Sequence, residues 1–151
     1  MQINFVHVNL IAKDWRKLAD FYIQVFGCVP VPPERHLSGK WVEELTGLEQ
    51  VKIDGIHLAL PGFESEPRVT LEIFQYNQLS NDTEKSIHQP GFAHIAFQVE
   101  NVTEILDQLK THGGSSLGKL VEQQMNGLGL LTVVYARDPE GNIIELQNWS
   151  K

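Results

Sequence analysis

The sequence predicts an α+β protein built from two copies of a βαβββ module in tandem. Three observations carry this. A short phrase occurs twice, as Phe5-Val6-His7-Val8-Asn9 and as Phe92-Ala93-His94-Ile95-Ala96, with the histidines 87 residues apart. The same offset carries Asp14 onto Asn101, Asp20 onto Asp107 and Gly27 onto Gly114. A second echo sets Leu71-Glu72-Ile73 against Ile144-Glu145-Leu146. Finally, each half passes from a strand-like alternation to a helical period and back to strands.

In the first copy, Ile3 to Ile11 is apolar and β-branched enough for a strand. Alternation puts Phe5, His7 and Asn9 on one face and Val6, Val8 and Leu10 on the other. Asp14 reads as an N-cap, because its short carboxylate can accept from the free N–H groups of a first helical turn. Leu18, Phe21, Tyr22 and Val25 recur at helical spacing, and Gly27 reads as the helix stop. A loop with Pro30, Pro32 and Pro33 follows. Lys40 to Leu48 reads as a short helical turn with Trp41, Leu45 and Leu48 on one side. Val51 to Leu60 and Arg68 to Tyr76 are expected strands, separated by a turn at Pro61-Gly62.

The polar stretch from Asn77 to Gly91 holds the expected linker, residues 79–90. The second copy opens with a strand from Phe92 to Val99. Asn101 and Glu104 make an N-cap and a capping-box-like pair. Ile105, Leu106 and Leu109 supply the apolar face of the helix, and Gly113-Gly114 ends it. Ser116 to Glu122 is an expected strand, and Asn126-Gly127 is a hairpin signal. Leu130 to Ala136 and Asn142 to Trp149 are the last strands. The turn between them, Asp138-Pro139-Glu140-Gly141, uses proline to preset φ and glycine to take a positive one.

With 151 residues and 42% apolar composition, the chain can bury one respectable core or two small fused ones. No apolar run approaches the roughly 20 residues of a membrane span. Residues 1–5 lack the basic start of a signal peptide, and a lone Cys28 suits a reducing compartment. The cytoplasm is therefore the expected location. A net charge of −7 without a basic cluster argues against nucleic acid as partner.

A lone histidine in a strand is usually structural, and a lone glutamate between apolar neighbours can simply point to solvent. The repetition changes that reading. Each copy has a histidine near its start and a glutamate near its end, so His7, Glu72, His94 and Glu145 can surround one ion. Two neutral imidazoles and two carboxylates balance a divalent charge. The mixed nitrogen and oxygen set suits zinc, nickel, cobalt, manganese or iron(II). Two octahedral positions stay open for water or a substrate with adjacent oxygens, where a Lewis acid stabilises an enediolate. The His-to-Glu separation is 65 residues in the first copy and 51 in the second. The additional residues fall in the proline-rich and Trp41 segments, the expected place for substrate contacts.

At these residues the chain resembles the vicinal oxygen chelate superfamily. That superfamily includes glyoxalase I, methylmalonyl-CoA epimerase, extradiol dioxygenases, and fosfomycin and bleomycin resistance proteins. The resemblance rests on the strand around His7, on Asp20-Phe21-Tyr22 running to Phe26-Gly27, and on Gly91-Phe92-Ala93-His94-Ile95-Ala96-Phe97. Its strongest piece is the stretch from Asp138-Pro139-Glu140-Gly141 through Asn142-Ile143-Ile144-Glu145-Leu146. It covers nearly the whole chain, implying one domain over 1–151 with module one at 1–78 and module two at 91–151. It implies a half-open, eight-stranded barrel-like sheet around a metal, with ligands at His7, Glu72, His94 and Glu145. A carboxylate at Glu72 matches glyoxalase I more closely than the dioxygenases or fosfomycin enzymes.

The implied activity is that of a metal-dependent lyase or isomerase of the glyoxalase I type, acting on a small molecule with vicinal oxygens. Glu72 or Glu145 would move a proton next to a carbonyl, with Glu72 the favoured base. The alternatives are an epimerase of a methylmalonyl-CoA-like thioester, an Fe(II) extradiol dioxygenase, and a drug-binding resistance protein. A homodimer is expected, since the family usually associates and sheet edges invite pairing. His57 is expected to line the barrel or the surface, and His36 and His88 to be solvated. Phe5, Phe74, Tyr76, Phe92 and Trp149 share faces with the ligands and are candidates for an apolar pocket. Arg137 and Lys40 are candidate partners for a substrate carboxylate or thioester tail.

Overall fold

A computed structural model describes residues 2–63, 66, 68–81 and 83–151; Asp82, inside the expected linker, lies outside them. The chain divides into two compact units, Met1–Asp82 and Thr83–Lys151. No helix among the described residues is long and apolar enough to cross a membrane.

The first unit holds β1 (His7–Ile11), α1 (Trp15–Phe26), β2 (Val29–Ser38), α2 (Lys40–Thr46), β3 (Lys52–Ala59) and β4 (Thr70–Tyr76). Its sheet runs β1-β4-β3-β2, with β1 parallel to β4 and the other pairs antiparallel. The helix α1 is set by its ends. The Asp14 side chain accepts from the Lys17 N–H, and Gly27 takes φ 66° while its N–H returns to Ile23 O. A side chain of the sheet joins in, since Gln75 Oε1 accepts from Trp15 N–H at 3.1 Å. Leu18, Phe21, Tyr22 and Val25 are buried where α1 packs on β3 and β4.

One expectation for this unit needs correction. The proline-rich segment is not a loop but the edge strand β2. An edge strand needs only one side of its backbone for pairing, so missing proline N–H groups cost little there. The register shifts between Val31 and Arg35, which sets Pro32, Pro33 and Glu34 into an irregularity. Glu34 there takes both Arg16 guanidinium nitrogens at 2.8 Å. The side of α2 that holds Trp41, Leu45 and Leu48 is not the packed one. Val42 enters the cluster with Val51, Ile53 and Phe74, while Trp41, Leu45 and Leu48 are exposed. A helix of seven residues buries one narrow stripe, and here that stripe is centred on Val42.

The second unit holds β5 (His94–Gln98), α3 (Val102–Thr111), β6 (Ser115–Ser116), β7 (Val121–Met125), β8 (Gly129–Arg137) and β9 (Ile143–Ser150). The order β5-β9-β8 reproduces β1-β4-β3, again with the first pair parallel. Both β6 and β7 pair with β8, in the place that β2 holds beside β3. The expected single strand from Ser116 to Glu122 is thus two pieces, and the described residues contain nine strands rather than eight. The break has a local cause: the N–H groups of Leu117 and Gly118 both bond to Tyr135 O, which halts the ladder.

Asn101 caps α3 by accepting from the Glu104 N–H, and Val102, Leu106 and Leu109 form the buried face. The Asp138 carboxylate organises the last turn. It is buried and accepts from Glu140 N–H, Asn142 N–H and Asn142 Nδ2 at 2.7–2.9 Å. Gly141, at φ 81°, closes that turn onto Asp138 O. β9 therefore starts from a fixed point, three residues before Glu145.

Candidate metal centre

In the first unit the site lies on three adjoining strands. The pairing register sets Glu72 of β4 between Asn9 of β1 and His57 of β3. Because side chains alternate, His7 shares the face of Asn9, and Thr70 shares that of Glu72. Both oxygens of Glu72 are engaged. Oε1 accepts from Asn9 Nδ2 at 2.8 Å, and Oε2 lies 2.7 Å from His57 Nε2. His7 Nε2 stands 3.7 Å from Glu72 Oε1. The Glu72 side chain is 12% exposed and that of His57 17%, against 39% for His7.

His57 is held by more than Glu72. Its Nδ1 lies 3.0 Å from the Oγ1 of Thr70, a buried residue, and its ring meets Phe74 edge-on at 6.2 Å. Gly55 makes room for β4 and for the Phe74 ring, since a Cβ there would lie 2.0 Å from Ile73 O and 2.5 Å from Phe74 Cδ1. Burial pushes the His57 imidazolium below its ordinary range, against the opposing pull of the Glu72 charge. The ring meets His7 at 5.4 Å, nearly perpendicular. His7, His57 and Glu72 each offer one ligand atom, and all three atoms lie within 4.8 Å of one another. Two imidazole nitrogens and a carboxylate oxygen at that spacing fit a borderline divalent cation.

The second unit repeats the frame with other side chains. His94 Nε2 lies 3.2 Å from Glu145 Oε2. Tyr135 of β8 is opposite Glu145 in the register, as His57 is opposite Glu72. Its ring meets His94 at 5.2 Å. Burial, followed by the charge of Glu145 and a hydrogen bond to it, raises the phenol above its ordinary range. The position matching Asn9 is Ala96, and the one matching Thr70 is Ile143.

Each unit by itself thus brings its expected histidine to its expected glutamate. His57, Asn9, Thr70 and Tyr135 were not assigned to the site from the sequence. Asn9 had a visible signal, since it alternates with His7. Apart from Phe74, whose ring meets His57, the other candidates fall elsewhere. Phe5 and Phe92 precede their strands and are exposed, and Phe74 and Tyr76 belong to the Val42 cluster. Trp149 is half-buried, with Nε1 donating to Gln147. Arg137 is spent on Gly141 O, Lys85 O and Glu84. Lys40 faces Glu44 on the surface. His36 is exposed yet bonded to Asp54 at 2.6 Å, and His88 to Ser86 at 2.8 Å.

Comparison with known proteins agrees with this frame. Residues 4–146 match the family model for the Glyoxalase/Bleomycin resistance protein/Dioxygenase superfamily. A lactoylglutathione lyase of Schizosaccharomyces pombe is 27% identical, over 96% of this chain and 47% of its own length. The chain therefore spans about half of that curated relative. A glyoxalase family protein from Bacillus cereus has the same fold, with TM-score 0.83 and 17% identity, covering 100% of this chain and 97% of that one. A fosfomycin resistance protein variant from Listeria monocytogenes, crystallised with manganese(II) and a dihydroxypropylphosphonic acid, has TM-score 0.56 and 21% identity. That match covers 97% of this chain and 92% of the other.

Proposed function

Because the chain belongs to the glyoxalase/bleomycin resistance protein/dioxygenase superfamily, we propose that it is a divalent-metal-dependent lyase or isomerase of the glyoxalase I type. The observation that carries this reading is the repeated pair: His7 against Glu72 and His94 against Glu145, each on corresponding strands of its unit. In this reading residues 1–151 act as one domain, and the four side chains hold one ion. The lactoylglutathione lyase relative supports the activity, and the manganese in the Listeria protein supports the metal.

The ion, when bound, supplies Lewis acidity toward the carbonyl oxygen of a small substrate with vicinal oxygens. The protein supplies the proton transfer. A base must present an oxygen to the substrate; Asn9 Nδ2 holds Glu72 Oε1 at 2.8 Å, whereas Ala96 in the matching place offers Glu145 no such donor. We assign the base to Glu145, which removes the proton next to the carbonyl and returns it to the neighbouring carbon. Glu72 then serves to hold the ion, and Tyr135 orients the Glu145 carboxylate through its hydroxyl.

One observation favours a second reading. Two imidazoles and one carboxylate, as at His7, His57 and Glu72, are the donor set of many iron(II) oxygenases. Loading the protein anaerobically with nickel, zinc, cobalt, manganese or iron(II), then offering a hemithioacetal, a methylmalonyl thioester and a catechol, separates the readings. Isomerisation of the hemithioacetal is the expected result. Oxygen consumption with the catechol would replace the lyase by a dioxygenase, and epimerisation of the thioester would move the activity to that class.

A further inference from the structure

We propose that His57 is a third protein ligand of module one and that Thr70 is the group that sets its ring. This rests on the reading that His7, Glu72, His94 and Glu145 hold a divalent ion; with His57 the protein would supply five ligands and leave one octahedral position, not two, for a substrate oxygen. The ligand atoms of His7, His57 and Glu72 converge within 4.8 Å, from three strands that lie side by side. The position of His57 is fixed by register, since it is the direct cross-strand partner of Glu72.

The two ring nitrogens have distinct surroundings. Nε2 faces the carboxylate at 2.7 Å, and Nδ1 faces Thr70 Oγ1 at 3.0 Å. A hydroxyl both donates and accepts. Without an ion, Nε2–H donates to Glu72 and Nδ1 accepts from Thr70. With an ion, Nε2 presents its lone pair and Nδ1–H donates to Thr70. The same ring pose serves both tautomers, and a partner on the far nitrogen is the usual support of a ligating histidine.

A purely structural histidine would need only its bond to Glu72. The comparison between units speaks for more than that. Where the first unit has Asn9, His57 and Thr70 around its glutamate, the second has Ala96, Tyr135 and Ile143. The imidazole with its hydroxyl partner is thus particular to one unit and is not required to build this strand frame.

The test uses the full chain loaded with cobalt(II). Its proton NMR spectrum should show three exchangeable, hyperfine-shifted imidazole N–H signals, from His7, His57 and His94, and His57→Gln should remove one of them. His57→Gln should weaken cobalt binding about 10-fold or more and shift the visible bands. Thr70→Val, which keeps the side-chain shape, should weaken binding by the roughly 10- to 100-fold usual for support of a ligand. Two shifted N–H signals in the unaltered protein, with His57→Gln and Thr70→Val leaving affinity and spectrum unchanged, would reduce His57 to a residue that positions Glu72. Failure of the unaltered protein to take up cobalt, nickel or zinc would overturn the metal reading itself, and this assignment with it.

Discussion

His57 and Glu72 face each other across β3 and β4, with Nε2 and Oε2 2.7 Å apart, and the corresponding pair in the second unit is Tyr135 and Glu145. The two modules therefore share a frame but give their glutamates unlike neighbours. That difference underlies the division of labour proposed for the two carboxylates.

Glu145→Gln keeps the side-chain shape but removes its basicity. It should lower turnover by a factor of about 10² or more, the usual scale for a positioned base, with metal still bound. Glu72→Gln should act mainly on metal affinity. Single-turnover rates at saturating metal check this. A Glu72→Gln variant that binds metal normally yet cannot turn over, beside an active Glu145→Gln, would reverse the assignment.

Asn9→Ala removes the amide that donates to Glu72 Oε1 at 2.8 Å and gives the first unit the residue the second has at Ala96. Asn9 is exposed, so folding should be little affected. Metal affinity should fall roughly 10-fold, within the range for groups that orient a ligand. Unchanged affinity by calorimetric titration would show that Glu72 needs no such support.

Asp138→Ala should lower stability by about 3 kcal/mol, because three donors of a buried turn lose their acceptor. Urea unfolding measures this. A loss under about 1 kcal/mol would mean that water replaces the carboxylate without cost.

Cys28 is buried, and burial raises its thiol to about 11 from an ordinary value near 9. Below the ordinary value the folded and unfolded thiols are both protonated, and stability is unaffected. Between those two values the unfolded chain ionises and the folded one does not, so stability falls as pH rises. Unfolding of the unaltered protein at pH 8 and at pH 10.5 should therefore show a larger loss than Cys28→Ala shows. Equal losses would contradict this, as would rapid reaction of the native thiol with an aromatic disulfide at pH 8.

Much of the frame was legible because short-range chemistry fixes it. Asp14 and Asn101 cap their helices where their side chains predict, and Gly27 ends α1 with the positive φ that only glycine adopts freely. The strand β2 was hidden by its prolines, whose tolerance depends on being at the sheet edge, a tertiary fact. The packed face of α2 was not legible, because Trp41 and Leu45 are apolar yet exposed. In the site, His7 and His94 announce themselves by repetition. His57 and Tyr135 do not, because they differ in type. Their separation of 78 residues also departs from the 87 that relates the histidines. Their common place opposite a glutamate emerges only when the strands are paired.

The proposed function requires that His7, Glu72, His94 and Glu145 hold one ion. Titration calorimetry with nickel(II) or cobalt(II) on the metal-free protein tests it most directly. The account predicts one ion per chain, with His7→Ala and His94→Ala each weakening binding by about 100-fold or more, beyond the range of supporting groups. No uptake would contradict it. So would two independent ions per chain, with His94→Ala removing one and leaving the other at full affinity.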